Sequence, residues 1–520
     1  MADSELRARK ETLDKDLDKL VSVEEATSTL SRTLVAPGLG LLFLALAAVL
    51  ASLVVVGEPG ALLIVAAAAI GAYMALNIGA NDVANNVGPA VGARALSLGG
   101  ALVIAAVFES AGALLAGGEV VNTIAKGIIA PEAVGEVSVF VRAMMAALIS
   151  AALWINLATW IGAPVSTTHA IVGGVMGAGI AAAGFGAVTW PTMAAIAASW
   201  VISPVLGGVV AAGFLAFVKT TMIYQDDKIA AARRWIPLLI AIMAGAFAGY
   251  LAIKGLGKVT DLGPGSVLGI AVAAFVLAWL ISSPAIRHQS EGMENRNQSL
   301  RRLFHLPLAF SAALLSFAHG ANDVANAIGP LAAIVFAAQT NVVGSEVTIP
   351  LWVMLIGAFG ISLGLMLFGP RLIRMVGSQI TRLNPMRAFC VALSAAITVI
   401  IASALGLPVS STHITVGAVF GVGFFREWYT ARSQRRRDYL ARRGALNINN
   451  NNNGSAADDE EDDEAAGAPA RARASPSQEA ARRKLVRRAH VTTIVAAWVI
   501  TVPAAAIIAA LAFAVFGLVG

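Results

Sequence analysis

Polar residues are scarce along most of this chain and bunched where they occur. Between the bunches lie apolar runs near 34–56, 60–78, 98–117, 139–161, 164–183, 191–218, 235–254, 265–283, 304–318, 349–369, 386–406, 408–425 and 491–519. A helix needs roughly 20 apolar residues to cross a bilayer core, and most runs have that length. They are rich in Ala, Leu, Ile and Gly and lack alternation of period two, so they read as helices rather than strands. The pattern predicts an all-α polytopic membrane protein with about 12–13 transmembrane helices, some of them discontinuous.

Composition agrees. Of 520 residues, 58% are hydrophobic and 13% charged, too few charges to coat a soluble protein of this length. The net charge of +6 follows the positive-inside rule rather than a nucleic-acid footprint. Arg7, Arg9, Lys10, Lys15, Lys19 and Arg32 precede the first run. Lys219, Lys228, Arg233 and Arg234 fill one loop, and Arg287, Arg296, Arg301 and Arg302 another. Arg435, Arg436, Arg437, Arg442 and Arg443 open the loop 426–490. All are assigned to the cytoplasm, with the protein in the cytoplasmic (inner) membrane. Residues 1–33 are charged and hold no early apolar core, which argues against a cleaved signal peptide and predicts a cytoplasmic N-terminal arm. Cys390 stands alone, excluding an intrachain disulfide or a thiolate metal cluster.

The sequence also repeats itself. Gly79-Ala80-Asn81-Asp82-Val83-Ala84-Asn85 returns unchanged as Gly320-Ala321-Asn322-Asp323-Val324-Ala325-Asn326, and each copy runs on to a Gly-Pro pair, Gly88-Pro89 and Gly329-Pro330. Pro164-Val165-Ser166-Thr167-Thr168-His169 returns as Pro408-Val409-Ser410-Ser411-Thr412-His413, followed by glycines in step: Gly173, Gly177 and Gly179 against Gly417, Gly421 and Gly423. With 1–33 and 284–303 both inside, the two copies are approached from opposite sides, so the halves are inverted-topology repeats. Such repeats mark secondary transporters, whose sites lie where the halves meet. The expected organisation is an arm over 1–33, a transmembrane helix over 34–57, a first transport repeat over 60–218 and a linking region over 219–303 with two helices and cytoplasmic loops. A second, inverted repeat over 304–425, a loop over 426–490 and a last helix over 491–520 complete it. The loop holds an Asn run, an acidic run and basic residues, and its composition predicts a disordered cytoplasmic segment.

A carboxylate inside a membrane costs several kcal/mol, roughly, and marks a function by default. Asp82 and Asp323 sit between apolar runs, each with an amide three residues on, Asn85 and Asn326, on the same helical face. Gly79 and Gly88-Pro89 loosen the helix around the first copy. Carboxylate, amide oxygens and freed carbonyls make a hard oxygen site suited to Na⁺ or to proton exchange. The plainer role for Asn81, Asp82, Asn85, Asn322, Asp323 and Asn326 is helix-to-helix glue. In the second element, Pro164 and Pro408 suit a first helical turn. Ser166, Thr167, Thr168, Ser410, Ser411 and Thr412 then fall where free N–H groups and the positive dipole end make an anion site; ordinary capping is the alternative. His169 and His413 are candidates for coupling or gating, as is Glu109, an intramembrane acid with no second copy. His319 stands where the first copy has Ile78 and has no assigned job.

The doubled GANDVAN followed by Gly-Pro, with the P-V-S-[ST]-T-H elements after it, resembles the inorganic phosphate transporter (PiT) family over roughly 60–425. The resemblance implies a phosphate symporter, a homodimer, driven by co-transported Na⁺ or H⁺, with no cofactor and no enzymatic activity. It implies that Asp82, Asn85, Asp323 and Asn326 bind the coupling cation and phosphate, that the six Ser and Thr residues hold phosphate oxygens, and that Glu109 matches an acid used in transport. The helix over 34–57 and the long loop depart from the family pattern. Sulfate is the alternative cargo within the family. A membrane-embedded phosphatase or an anion channel are rivals outside it; no Walker A match suggests ATP hydrolysis.

Overall fold

A computed structural model describes residues 34–161, 163, 165–258, 260–343, 348–375, 383–434 and 488–519. The arm 1–33, Pro164 and most of the 426–490 loop, including its Asn and acidic runs and Arg435 to Arg443, lie outside the described residues.

The described chain is helical throughout, apart from one isolated bridge between Ile129 and Val188. The apolar runs become helices at nearly the predicted positions. These are α1 (Ala36–Val54), α2 (Ala61–Asn81), α3 (Val83–Gly92), α4 (Leu98–Ala116), α5 (Val137–Ile161), α6 (Thr167–Ala183), α7 (Trp190–Val218), α8 (Lys228–Lys254) and α9 (Pro264–Gln289). A short α10 (Asn297–Leu303) leads into α11 (His305–Asp323), α12 (Ala325–Thr340), α13 (Leu351–Met375), α14 (Pro385–Ala404), α15 (Ser411–Arg432) and α16 (Arg488–Val519). Among the described residues, 11 helices are long and apolar enough to cross a membrane. The two remaining runs of the sequence are α6, apolar but shorter, and α15, which carries Arg426, Glu427 and Arg432.

Where the runs end at 78 and 318 in the sequence, the helices continue through the Asn-Asp pairs. Side chains that compete with the backbone in water are tied up by tertiary partners here, and the helix persists. The interruption is one residue in each half: Asp82 between α2 and α3 and Val324 between α11 and α12, both with α-type dihedrals. The continuous stretch Ala61–Gly92 has 32 residues, about 48 Å at 1.5 Å per residue, against a hydrocarbon core of ~30 Å. Such a stretch must tilt or bend to fit, and Asp82 is where its regularity gives way.

The main packing pairs survive exchange of the two halves. Helix α2 packs on α13 as α11 packs on α4; α5 packs on α6 as α14 on α15; and α7 packs on α15 as α16 on α6. Helix α16 therefore stands to the second half as α7 stands to the first, and each lies against the other half. The sequence carries this relation: Ile196, Trp200, Val201 and Ile202 have counterparts at Ile494, Trp498, Val499 and Ile500. Glycines set the contacts. A Cβ on Gly173 or Gly177 would run into the backbone of Val502 or Ala506 in α16, and one on Gly417 or Gly421 into that of Pro204 or Gly208 in α7. The motif glycines do the same: Gly79 lies against the Ile361 carbonyl of α13, and Gly320 against the Glu109 carbonyl of α4.

Within the stretch His305–Thr340 that holds α11 and α12, 89% of the 18-residue apolar segment is buried, against only 6% of that in α9. The second Asn-Asp motif therefore runs through the centre, while α9 packs mainly on α8 and turns its other faces outward.

Candidate ion site at the junction of the halves

The repeated residues converge at the centre. Asp82 and Asp323 are both buried, and Thr167 lies between them, donating from Oγ1 to Asp82 Oδ2 at 2.5 Å and to Asp323 Oδ2 at 3.3 Å. Thr412, from the other half, donates to Asp82 Oδ1 at 3.4 Å. Asn85 Nδ2 donates to Thr412 Oγ1 at 2.9 Å, and Asn326 Nδ2 to Thr167 and Thr168 Oγ1, each at 3.2 Å. The second Asn of each motif thus bonds to the hydroxyls of the opposite half.

The first Asn works within its own half. Asn322 donates to Ser403 Oγ at 2.9 Å and to the Leu407 carbonyl at 3.2 Å, and accepts from Val409 N at 3.3 Å. Asn81, with its amide turned so that both ends are satisfied, accepts from Thr159 at 2.9 Å and donates to the Val165 carbonyl at 3.3 Å and to Asp82 Oδ1 at 3.1 Å. Both amides grip the segment leading into the next hydroxyl cluster, which makes them positioning groups in this arrangement.

The helices carrying the hydroxyls start later than the prolines suggest. Ser166 is the cap of α6, accepting from His169 N at 3.1 Å, and Ser410 caps α15, accepting from His413 N at 3.3 Å. Pro408 precedes the cap by two residues instead of occupying the first turn. The serine hydroxyl captures the free N–H itself, so the first turn begins at Thr167 and at Ser411. Thr168 donates to the Val409 carbonyl at 3.0 Å, and Ser411 Oγ is buried with no hydrogen-bond partner among the described residues. Asp323 Oδ1 and Asn326 Oδ1 are likewise buried and unmatched. Orphaned buried oxygens are costly, and a bound cation or a protonated anion would satisfy them.

His169 and His413 face each other at 4.5 Å between ring centroids. Trp200 of α7 stacks on His169 at 3.7 Å and donates to the Pro408 carbonyl at 3.1 Å, bracing both hydroxyl segments. Its repetition at Trp498 was a signal available in the sequence.

Glu109 joins the site through His319. Its carboxylate accepts from Asn86 Nδ2 at 2.8 Å and lies 2.7 Å from His319 Nδ1, while His319 Nε2 lies 3.0 Å from Asp323 Oδ2. Ligand atoms of Asp82, His319 and Asp323 all fall within 4.8 Å of one another. The asymmetry at 78 and 319 therefore places an imidazole between two acids. Two carboxylates sharing one hydroxyl at low dielectric demand a positive charge nearby. The site can take a small cation on its oxygens and an oxyanion on hydroxyls at two helix N-termini. All these side chains are buried, so this arrangement is closed to both sides.

With this geometry in hand, the comparisons with known proteins are specific. The sequence profile of the Phosphate transporter family matches residues 78–509. A protein of Helicobacter pylori (strain J99) whose name includes the words phosphate permease is 44% identical, the alignment covering 97% of this chain and 99% of that one. Inorganic phosphate transporter 2-1, chloroplastic, of Arabidopsis thaliana is 37% identical over 71% of this chain and 67% of its own. A solved structure titled "The sodium-dependent phosphate transporter" superposes with a TM-score of 0.74 at 32% identity, covering 88% of this chain and 100% of that one.

Proposed function

Since the chain belongs to the phosphate transporter family, we propose that it is a symporter that carries inorganic phosphate across the cytoplasmic membrane with Na⁺. The observation that carries this reading is the sharing of Thr167 between Asp82 and Asp323.

A phosphate anion cannot sit beside two ionised carboxylates without compensation. A cation bound by Asp82 and Asp323, with Asn85 and Asn326 beside them, removes that repulsion. It also competes for the carboxylate oxygens that Thr167 and Thr412 occupy, leaving their O–H groups to turn toward a phosphate oxygen. Ser411, Thr168 and the N-termini of α6 and α15 complete the donor set, with Ser166 and Ser410 holding the two turns in place. Cation binding therefore creates the anion site, which is the physical content of symport: either solute alone binds weakly. Phosphate carries a proton near neutral pH, and an Asp82 or Asp323 oxygen can accept it, which disfavours sulfate.

The exchange relation between the halves supports alternating access by two inverted repeats around this junction. Na⁺ is favoured by the all-oxygen ligand set and by the name of the solved relative. A proton is the second reading, favoured by the line Glu109–His319–Asp323. As a transporter the protein needs no nucleophile and no resident cofactor.

The test is uptake of labelled phosphate and sulfate into proteoliposomes, with Na⁺ and pH gradients imposed separately. Phosphate accumulation that follows the Na⁺ gradient supports the reading. Accumulation that follows only the pH gradient replaces Na⁺ by H⁺. Passive flux indifferent to both gradients, or release of phosphate from an ester, contradicts it.

A further inference from the structure

We infer that an anionic phospholipid docks on α7, α8 and α9 at the end of the molecule bearing the basic loops. Arg233, Arg234 and Arg287 hold its phosphate, and an acyl chain lies along α7 and α8. An open cavity of about 790 Å³ separates α8 from α9 there, walled by the three arginines with Trp279, Ser283 and Glu291. That is ample room for a headgroup, since small-molecule pockets run from roughly 300 to 1,000 Å³.

The cavity is positive. Among the described residues, no carboxylate forms an ion pair with any of the three arginines. Glu291, the one acid lining it, lies against His288 at 3.3 Å. Two guanidinium groups are also held in place. Arg233 donates from Nε to Ser290 Oγ at 2.7 Å and from Nη2 to the Ser290 carbonyl at 3.4 Å, which leaves Nη1 for a ligand. Arg234 rests over the Trp235 ring at 5.2 Å. Guanidinium forks match phosphate oxygens in two-pronged fashion, and forks already positioned bind at a lower ordering cost.

The neighbouring surface selects a lipid over free phosphate. Leu238 lines this cavity and also a groove of about 380 Å³ between α7 and α8. That groove is walled by Val210, Gly213, Phe214, Trp235 and Ile242, among others, and carries no charged or hydroxyl side chain. Helices α7 and α8 meet where Phe217 stands edge-on to Trp235 at 5.1 Å, whereas at Gly213 nothing lies within 4 Å of an added Cβ. A cationic cavity and an apolar groove with a shared wall fit a molecule charged at one end and apolar at the other.

Depth agrees with this. Helix α8 has 27 residues, about 40 Å at 1.5 Å per residue against a hydrocarbon core of ~30 Å. Its first turns, with Arg233 and Arg234, therefore stand at headgroup level, and Arg287 lies in the last turn of α9. Trp279 is 46% exposed about two turns deeper, where interfacial aromatics gather. Basic pockets between membrane helices on the side that the charge rule assigns to the cytoplasm suit anionic headgroups.

The experiment reads binding alone. Phosphatidylglycerol is titrated against the full chain in neutral detergent and the thermal midpoint followed, with phosphatidylcholine as the reference lipid. Saturable stabilisation by phosphatidylglycerol beyond that by phosphatidylcholine is expected. Arg234→Gln and Arg287→Gln, both at exposed positions, should each raise the half-saturating concentration about fivefold. Arg296→Gln, which removes a charge already paired with Glu294 at 3.0 Å, should leave it unchanged. Gly213→Leu fills the apolar groove and should weaken the response without touching an arginine. Glycerol phosphate, a headgroup without a chain, should not compete. No preference for phosphatidylglycerol, an equal effect of Arg296→Gln, or full competition by glycerol phosphate overturns the proposal. So does a Gly213→Leu variant that separates a dimer yet keeps its lipid response, which assigns the groove to a second copy of the chain.

Discussion

Asn85 and Thr412 are 327 positions apart in the chain and 2.9 Å apart in space. With Asn326 on Thr168, this contact ties each acidic motif to the opposite hydroxyl cluster. In a double-mutant cycle, Asn85→Ala and Thr412→Val are expected to couple by about 0.6 kcal/mol, with ~1.7 kcal/mol as the upper bound for membrane hydrogen bonds. Ser110→Ala with Thr412→Val should be nearly additive, because Ser110 bonds to Ser362 and the Ala358 carbonyl and shares no partner with Thr412. Thermal midpoints in detergent read both cycles.

Gly320 packs against the Glu109 carbonyl, where an added Cβ would overlap backbone. Gly320→Ala must push α11 from α4 and is expected to cost about 1–3 kcal/mol, lowering both thermal stability and uptake. Gly99→Ala is the control, since nothing stands within 4 Å of a Cβ there. Equal thermal midpoints for the two variants would refute the close-packing argument.

Thr167 touches both carboxylates, and Ser166 starts the turn that presents it. The double substitution Ser166→Ala with Thr167→Val is expected to raise the phosphate KM by at least about tenfold, the loss of one charge-assisted hydrogen bond. The Na⁺ concentration for half-maximal uptake should move less. Equal shifts in the two would contradict the division of labour between hydroxyls and acids.

Much of this arrangement was legible in the sequence because duplication is a covalent record. Two copies of GANDVAN announced two equivalent places, and most apolar runs lie within a few residues of a helix, although α8 begins seven residues before its run and α12 matches no run. Other features depended on contacts that spacing cannot encode. That Asn81 and Asn322 point into their own halves while Asn85 and Asn326 reach across requires knowing how α2 lies against α5 and how α11 lies against α14. The start of α6 at Thr167 is hidden too, since Ser166 and Thr167 both suit a first turn and only the bond from His169 N to Ser166 Oγ shows which residue caps it. His319 looked idle beside Ile78, since its partner Glu109 is 210 positions away. The pairing of α16 with α6 was hidden by the long loop before α16, although Trp498 echoes Trp200.

Glu109 and Asp323 flank the His319 ring at 2.7 and 3.0 Å. If the three act as one charge network, Glu109→Gln and His319→Gln should each impair uptake, and the double variant should be little worse than the more severe single one. Independent roles would instead multiply the two losses.

The central claim is that Asp82 and Asp323 hold the cation that admits phosphate. Labelled-phosphate uptake by Asp82→Asn and Asp323→Asn proteoliposomes under an inward Na⁺ gradient tests it most directly, with membrane insertion verified for each. The account predicts that both variants insert normally and that uptake falls by about a hundredfold or more, as expected when a buried cation loses one of its two carboxylate ligands. Gradient-driven uptake near the unsubstituted level in either variant would contradict it.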